Sequence, residues 1–464
     1  MRHLLWFRND LRIHDNPTLK AACQPGAQVL GIYLVNHAAL RAHDTASVRM
    51  DFDRRSFAVL AQQLAHHGIP LIVRSVSDDH AIAPLLATLR AQFHFDHLFV
   101  SREYGPNEQK RDMHLQQWCL QQQIRWHEYD AGCIMAPGLV LKSDGTPYQV
   151  FTPFRSRWLS LVAQNPLPDI HALEGFHQQP PLSLEPISID GSEHSSLHAL
   201  WPAGETEALL RLNQFIDQEL ANYHQQRDLP ALPGTSRLSP YFANGSLSAR
   251  LAVHYVRNIS GQGAQTWVSE LAWRDFFQHI LYHYPRVGKH RTFQLHTEAL
   301  QWSDNTENFE RWCSGQTGFP LIDAAMRQLR NTGWMHNRLR MITAMFLVKD
   351  LWINWQWGER WFMQQLIDGE LAANNGNWQW CASTGVDATP YFRIFNPWTQ
   401  SRRFDPQGNF IRYWVPELKD IDPSALHKPP AKGSLSLRYP SPITDHDKAR
   451  LHALAAFKAV SERT

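Results

Sequence analysis

The stretch Asp368–Trp380 is the most polar and aromatic part of the chain. Two carboxylates, Asp368 and Glu370, are followed by the amide of Asn374 and the indoles of Trp378 and Trp380. Carboxylates and amides can bond ribose hydroxyls or ring N–H groups, so the stretch favours a planar heteroaromatic ligand. Asn374 and Trp378 are four residues apart, so one face of a helix could carry both. The alternative is that the two tryptophans are ordinary core residues.

A second polar group, Gly-Thr-Ser-Arg-Leu-Ser at 234–239, precedes a helical stretch. Its hydroxyls, backbone N–H groups and single arginine suit a phosphate. A plain helix N-cap would explain one Thr-Ser pair equally well. Both interpretations stay open on these residues alone.

Glu270 and Arg274 form a third group, four residues apart on a segment of helical periodicity. An exposed pair of this kind is usually a solvated bridge of small energy. Trp267 and Trp273 stand beside it, and their presence favours a lined pocket over a solvated surface.

A fourth group is formed by Trp334, Asn337, Arg338 and Met341, which would occupy positions i, i+3, i+4 and i+7 of one helix. A core stripe would not carry an amide and a guanidinium. A solvated face would not need an indole and a thioether. Neither ordinary packing nor simple exposure explains the mixture.

The four groups contain no histidine beside a nucleophile, no paired carboxylates of hydrolase type and no metal-ligand set. The reactive chemistry is therefore expected from a cofactor, and no metal site is predicted. The motifs G-x-G-x-x-G, G-x-x-x-x-G-K-[ST], H-E-x-x-H and G-x-S-x-G are also absent. Their absence excludes a familiar dinucleotide-binding sheet and a P-loop ATPase.

Two kinds of secondary structure must position these residues. In the first 130 residues, short apolar runs alternate with amphipathic segments, which predicts an α/β domain with a parallel, doubly wound sheet. The predicted strands are 3–7, 28–35, 70–74, 96–100 and 124–128, and the predicted helices are 48–66, 81–93 and 107–122. From about Glu205 the periodicity is helical almost throughout, which predicts an all-α domain.

The segment 165–204 is rich in proline, serine, histidine and glutamine, which is typical of a linker. We assign 1–130 to the α/β domain, 131–204 to the interdomain linker and 205–464 to a helical domain that carries the four groups and binds a cofactor. Asn107 and Glu108 follow the fourth strand, where an open α/β sheet offers a ligand crevice. A polar helix N-terminus is the simpler interpretation of that pair.

The composition narrows the class of protein. The formal net charge is only +2 over 464 residues, so a nucleic-acid contact must come from a local patch. Five cysteines without a C-x-x-C pair fit a reducing compartment. With no apolar run long enough for a bilayer and no apolar leader, we expect a cytoplasmic protein with no membrane contact. Eighteen tryptophans indicate a stacking surface, an aromatic cofactor pocket or a tryptophan-rich core.

These groups resemble the photolyase/cryptochrome family, most closely the bacterial class I photolyases for cyclobutane pyrimidine dimers that carry a folate antenna. The resemblance spans nearly the whole chain and is dense in LLWFRNDLRIHDNPTL, YHQQRDLPALPGTSRLSP, LAWRDFFQHIL, GFPLIDAAMRQLRNTGWMHNRLRM and ANNGNWQWCASTGVDATPYFRIFNP. It implies a monomeric flavoprotein lyase that repairs ultraviolet-damaged DNA. Light-driven electron transfer from reduced FAD would split the dimer into two pyrimidines.

The resemblance also implies which residues bind FAD. Asn374 would face flavin N5, and Glu370 stands where relatives carry Asp, so we expect FAD binding to be retained with altered packing. The implied FAD contacts are Tyr223, Thr235, Ser236, Arg237, Leu238, Ser239, Trp267, Glu270, Arg274, Trp334, Asn337, Arg340, Asp368, Glu370 and Asn374. An electron-donor chain to the flavin is implied at Trp302, Trp355 and Trp378.

The dimer would be flipped out of the duplex into a pocket beside the flavin. Glu270 and Asn337 would act on it, and Glu270 could share a proton with it. The further implied lesion and DNA contacts are Arg227, Trp273, Arg338, Met341, Trp380 and Arg393. An antenna, 5,10-methenyltetrahydrofolate, is implied at His43, Asn107, Glu108 and Lys289.

Three other functions remain to be compared with repair of this lesion. The first is a cryptochrome that signals and repairs nothing; plant-type receptors resemble this site with Asp at the place of Asn374, and animal-type receptors with Cys. The second is a photolyase for (6-4) photoproducts, which has His at the place of Asn337. The third is a flavoprotein that binds nucleic acid without using light.

Overall fold

A computed structural model of the chain describes residues 1–164, 173–178, 194–387, 393–431 and 433–462. The fold divides into two units. The first comprises Met1–Gln218, Ser236–Pro285 and Asp368–Glu370, and the second comprises Glu219–Thr235, Arg286–Ile367 and Leu371–Thr464. The domain limits drawn above follow composition and stay a prediction.

The first unit contains a five-stranded, fully parallel sheet in the order β3-β2-β1-β4-β5. Leu4 and Trp6 of β1 point into one apolar cluster, and Leu5 and Phe7 point into another. Burial on both faces explains why the strands read as continuous apolar runs. The α/β prediction is confirmed. The strands are β1 (Arg2–Phe7), β2 (Gln28–Asn36), β3 (Leu71–Val76), β4 (His97–Ser101) and β5 (Arg125–Tyr129).

Helices make up most of the regular structure after β5, as predicted. A π-helical turn, Phe346–Asp350, directly follows one of them. In chain order the α-helices are α1 (Pro17–Ala22), α2 (His37–Ala42), α3 (Ser47–Ala65), α4 (Ile82–Phe93), α5 (Pro106–Gln121), α6 (Phe151–Gln164), α7 (Glu205–Gln218), α8 (Tyr223–Gln226), α9 (Ser239–Asn244), α10 (Ala249–Val256), α11 (Gln262–His283), α12 (Thr306–Ser314), α13 (Pro320–Thr332), α14 (Asn337–Met345), α15 (Trp355–Gln365), α16 (Leu371–Ala382), α17 (Pro397–Phe404), α18 (Asn409–Trp414), α19 (Pro423–Leu426) and α20 (His446–Ser461).

The predicted linker at 131–204 falls only partly within the described residues, since 165–172 and 179–193 lie outside them. Its described part includes helix α6, whose Phe154 and Trp158 are buried. Trp158 donates its indole N–H to Asp275 of α11 at 2.9 Å. This part of the segment is therefore packed within the first unit.

The predicted single helix through Trp334 and Met341 is wrong. Gly333 adopts a left-handed conformation, with φ +68°, and ends α13. The side chain of His336 then accepts from the backbone N–H of Arg338 and starts α14 at Asn337. Because Trp334 lies in the turn between the stop at Gly333 and the N-cap at His336, it does not share a helix face with Asn337, Arg338 and Met341.

The second unit is built around an apolar core that includes Trp312, Trp355 and Trp378. Trp302 and Trp380 are partly buried against the same core. Within the described residues, no helix is long and apolar enough to cross a membrane.

Candidate active site

Helix α11 carries four of the candidate residues in the first unit. Trp267 is buried against Phe215, with ring centroids 5.3 Å apart. Glu270 and Trp273 are half-buried. The indole of Trp273 stacks on Phe151, with centroids 3.6 Å apart and an 8° angle between the planes. Phe151 therefore occupies one face of this indole.

Arg274, the fourth of these residues, bonds to Glu370. Its Nη2–H donates to Oε1 of Glu370 at 3.0 Å, and its Nη1–H donates to the carbonyl of Gly132 at 2.6 Å. Gln278, one turn farther along α11, also donates to Oε1 of Glu370. Burial lowers the pKa of the guanidinium, but the Glu370 carboxylate and other nearby groups outweigh burial and raise that pKa. The structure thus joins two predicted FAD contacts to each other.

The candidate phosphate loop is split between the units. In the first unit, Arg237 adopts a left-handed backbone conformation, with φ +51°, which is uncommon for a residue with a side chain. Its carbonyl accepts from Arg211 at 3.4 Å. Leu238 is buried, Ser236 is half-buried, and exposed Ser239 begins α9. Such backbone strain is a frequent mark of ligand-binding segments.

In the second unit, Thr235 is half-buried beside Gly234. A Cβ on Gly234 would meet the carbonyl of Gln226 at 2.9 Å and the Gln226 Cβ at 2.6 Å. A side chain at position 234 would therefore collide with the backbone after Tyr223. Tyr223 is buried, and the Arg227 guanidinium lies 5.5 Å from its ring centroid.

Two side-chain groups of the first unit have no hydrogen-bond partner among the described residues and could bind a flavin nucleotide. The Nε–H of Arg274 is buried without an acceptor among the described residues. Oε2 of Glu370 accepts from none of the described residues, because both donors go to Oε1. A donor and an acceptor of this kind, together with the hydroxyls of 236–239, match the polar edge and the phosphates of such a ligand.

In the second unit, an acidic residue joins several candidate DNA contacts. Asp228 accepts from Arg338 at 2.7 Å and lies 3.8 Å from Nε of Arg227. Nη1 of Arg338 lies 3.8 Å from the sulfur of Met341. Arg393, by contrast, is exposed. Asp228 offsets part of the positive charge at Arg227 and Arg338.

The three candidates around α14 lie in different surroundings. Trp334 is buried, and its carbonyl accepts from the hydroxyl of Thr332 at 2.9 Å. Asn337 is exposed at the first turn of α14. Arg340 is half-buried, and its Nε–H donates to the carbonyl of Met335 at 2.8 Å.

Helix α16 carries Asn374 and Trp378, as the four-residue spacing predicted. The side-chain N–H of Asn374 donates to the carbonyl of Glu359 at 2.9 Å, and Oδ1 accepts from none of the residues that the structure describes. The next residue, Asn375, donates to the Glu359 carboxylate at 2.8 Å. Trp380 is partly buried on the same helix.

Asp368, a predicted FAD contact that precedes this helix in the chain, belongs to the first unit and is buried there.

The three tryptophans of the implied donor chain all contact one apolar core. Trp355 and Trp378 are buried, whereas Trp302 is partly exposed. Trp302 packs on Trp352 at a centroid distance of 4.8 Å. Trp378 packs on Phe362 at 5.0 Å and on Trp312 at 6.1 Å.

The implied antenna contacts His43 and Glu108 bond to each other. Nε2 of His43 lies 2.7 Å from Oε1 of Glu108. The hydrogen bond that His43 donates to the Glu108 carboxylate raises the pKa of His43. Burial opposes ionisation of Glu108, but His43 and Arg111 outweigh it and lower the pKa of Glu108 to about 2. The second oxygen of Glu108 is buried without a donor among the described residues.

The other two antenna candidates are both exposed. Asn107 precedes Glu108 in the first turn of α5 and points to the surface of the first unit. Lys289 belongs to the second unit.

Sequence reasoning missed Gln278, Asp228, Glu359 and Phe151. Gln278 had a local signal, because it lies one turn after Arg274 on the same helix. Glu359 and Phe151 had none, because their partners lie 15 and 122 residues away in the chain. Asp228 stands next to Arg227, but its hydrogen bond with Arg338 spans 110 residues and gave no local signal. Among the described residues no group of three or more His, Cys, Asp or Glu side chains could hold a metal ion.

Three comparisons with known proteins give consistent matches. Residues 3–172 match the family model described as DNA photolyase, and residues 267–459 match the FAD binding domain of DNA photolyase. A protein of Escherichia coli named deoxyribodipyrimidine photo-lyase is 42% identical, over 98% of each chain. The crystal structure of a class III photolyase from Agrobacterium tumefaciens superposes with a TM-score of 0.89 at 34% identity, covering 99% of this chain and 98% of that one. A Synechocystis cryptochrome superposes with a TM-score of 0.87 at 29% identity, covering 98% of this chain and 99% of that one.

Proposed function

The chain belongs to the DNA photolyase family, and from this premise we propose that it is a light-driven lyase that splits cyclobutane pyrimidine dimers in DNA. The observation that carries this function is the 42% identity to a deoxyribodipyrimidine photo-lyase over 98% of both chains. Both family models match as well, one of them the FAD-binding domain. The chain is therefore an FAD-dependent DNA repair enzyme.

FAD, when bound in its reduced form and excited by light, supplies the electron that opens the cyclobutane ring. The protein supplies binding, orientation and exclusion of water. We propose FAD contacts in the first unit at Ser236, Arg237, Leu238, Ser239, Trp267, Glu270, Arg274, Asp368 and Glu370. We propose FAD contacts in the second unit at Tyr223, Thr235, Trp334, Asn337, Arg340 and Asn374.

Asn374 has a defined role in this proposal. The carbonyl of Glu359 holds its amide N–H at 2.9 Å, so the side chain presents Oδ1 to its remaining neighbours. An amide oxygen accepts a hydrogen bond from a ring N–H without adding a negative charge. Asn374 therefore suits a position beside flavin N5, as the family resemblance implies.

The three indoles of Trp302, Trp355 and Trp378 would supply electrons to oxidised flavin after excitation. Indole suits this task because it can lose an electron and then a proton. Trp355 and Trp378 are buried and Trp302 is partly exposed, which supports a path with Trp302 at its outer end. This path would prepare the cofactor and take no part in repair itself.

The lesion would be held by a mixture of stacking and polar contacts. Trp273 and Trp380 offer indole faces, Met341 offers apolar surface, and Glu270 and Asn337 offer hydrogen bonds. Arg227, Arg338 and Arg393 would contact phosphates. Because Asp228 already pairs with Arg338, we expect Arg338 to contribute less to DNA affinity than Arg393.

We also propose a second, light-harvesting chromophore of the folate type at His43, Asn107, Glu108 and Lys289. The buried Glu108 oxygen, which has no donor in the described part of the chain, suits a ring N–H or amino group of a pterin. Mass spectrometry of the released chromophores tests this assignment. A second chromophore without a pterin mass would exclude folate, and a folate mass would support class I.

The decisive experiment uses the purified, reduced protein and an oligothymidine that carries cyclobutane dimers. Thymine absorbance should return under blue or near-ultraviolet light and stay constant in the dark. The same oligothymidine without dimers controls for a light effect on the DNA. No recovery in the light from a preparation that holds FAD would contradict the proposed function.

A photoreceptor without repair activity is the second candidate, favoured by the likeness to the Synechocystis cryptochrome. The two functions share a fold and a flavin, so the repair assay separates them. A flavin that responds to light, with no recovery of either dimers or (6-4) photoproducts, would favour the photoreceptor.

A further inference from the structure

Two donors on one face of α11 hold the carboxylate of Glu370. Arg274 and Gln278 are one helical turn apart, and both donate to Oε1. Oε2 accepts from none of the described residues. The carboxylate is thus fixed through one oxygen and keeps the other for a further partner.

Both sides of this contact are anchored. Arg274 donates to the carbonyl of Gly132 at 2.6 Å, so its guanidinium cannot follow a moving carboxylate without losing that bond. The carbonyl of Gly369 accepts from Arg49 at 3.2 Å, and Asp53 holds Arg49 at 2.8 Å. The backbone just before Glu370 is therefore held as well.

These anchors make the length of side chain 370 important. An aspartate would draw the carboxylate back by one carbon–carbon bond, about 1.5 Å. That distance exceeds the tolerance of a hydrogen bond, so both donors would be stretched or lost. The longer glutamate reaches the two donors from an anchored backbone. The neutral amide of Gln278 adds a donor there without a second positive charge beside Arg274.

We propose that Gln278 is a positioning residue that acts through Glu370. Together with Arg274 it fixes the carboxylate so that Oε2 accepts a hydrogen bond from bound FAD. This inference rests on the proposed function, in which Glu370 contacts FAD. Gln278 and Glu370 form one matched pair, and the effect of changing either depends on the presence of the other.

The test is a double-mutant cycle on FAD affinity. Apoprotein is prepared for the wild type, for Q278L, for E370D and for the double variant, and the FAD dissociation constant is measured by quenching of flavin fluorescence. Q278E, which keeps the shape of the side chain but removes its donor, replaces Q278L should that variant fail to fold. Q265E is the matched control, because Gln265 is an exposed glutamine on the same helix.

Each single change should raise the FAD dissociation constant about tenfold, the effect of one hydrogen bond to a charged group. The double variant should be no weaker than E370D alone, because both changes remove the same contact. The absorption bands of bound flavin should shift in Q278L and stay in place in Q265E. A purely structural role would lower stability without shifting those bands.

Two results would overturn the pairing while leaving the proposed function intact. One is a dissociation constant in Q278L equal to that of the wild type. The other is a double variant whose loss equals the product of the two single losses. A wild-type chain that takes up no FAD at all is a different failure, since it would remove the proposed function and this role of Gln278 together.

Discussion

The molecule positions its candidate residues in two different ways. On α11 in the first unit, the charged candidate Arg274 bonds to groups far away in the chain, Gly132 and Glu370. On α16 in the second unit, the aromatic candidate Trp378 is packed into a core on Phe362. The first region should therefore respond to single charges and protons, and the second to volume.

The largest expected effect is a loss of stability in acid in the polar region, caused by protonation of His279 on α11. Burial lowers the pKa of His279 to about 4, although its bond to the Met135 carbonyl, at 2.8 Å, opposes the shift. The folded state therefore binds a proton at His279 more weakly than the unfolded state does. The contribution of neutral His279 to the free energy of unfolding is fully present above the unfolded pKa near 6.5 and is lost as the pH falls towards 4. The free energy of unfolding should fall by about 2 kcal/mol at pH 5 and by about 3 kcal/mol at pH 4.

The measurement is urea unfolding of the wild type and of His279→Gln, a variant that keeps a donor but does not titrate. The variant should lose correspondingly less stability on acidification. Equal pH dependence in the two proteins would show that His279 is not the group that senses acid in this region.

In the aromatic region, stability should depend on side-chain volume, and a substitution at Gly358 of α15 tests this. A Cβ at this position would lie 2.1 Å from the Trp378 ring and 2.7 Å from Leu347. Alanine would gain about 1 kcal/mol in helix propensity but would cost about 1–3 kcal/mol in overpacking. Because a rigid indole cannot move aside cheaply, we expect Gly358→Ala to destabilise the protein by about 1–2 kcal/mol.

Gly132→Ala is the control for this substitution, since among the described residues its Cβ would come within 4 Å of Tyr104 alone, at an ordinary 3.9 Å. Thermal unfolding compares the two variants. If the Gly358→Ala protein were as stable as Gly132→Ala, the core around Trp378 would have enough space for the added methyl group.

Trp302→Phe tests the proposal that Trp302 helps to reduce the cofactor and takes no part in repair. Phenylalanine keeps an aromatic ring against Trp352 but is much harder to oxidise than an indole. Light-dependent reduction of bound FAD should slow by about tenfold or more, equivalent to ~1.4 kcal/mol of barrier. Repair by the chemically reduced variant should equal that of the wild type. Loss of repair in the pre-reduced variant would contradict this division of roles.

The sequence predicted regular structure well where burial is repetitive. The run Gln28–Val35 became β2, Gln28–Asn36, because both faces of a central parallel strand are apolar. The sequence wrongly predicted one continuous helix from Trp334 onwards. The left-handed Gly333 ends one helix and the His336 cap starts the next, and these local signals interrupt a periodicity that continues across them. Helical spacing correctly placed Asn374 and Trp378 on one helix.

Spacing could not reveal partners that only the fold brings together. Gln278 and Glu370 are 92 residues apart, and Arg338 and Asp228 are 110 apart. Their bonds depend on how helices and loops pack, which no local pattern encodes. The roles of the individual site residues therefore stay predictions that the substitutions must test.

Glu270→Ala is expected to have the smallest effect and tests whether a single polar atom in the first region matters to chemistry. Glu270 is half-buried on α11, one turn from Arg274. Removing the hydrogen bond proposed between Glu270 and the lesion should lower repair per absorbed photon roughly fivefold, or about 1 kcal/mol, and leave FAD bound. Glu270→Gln keeps a polar group of the same size and should retain more activity than Ala. Repair per photon unchanged in both variants would remove Glu270 from the reaction and leave α11 with binding as its contribution.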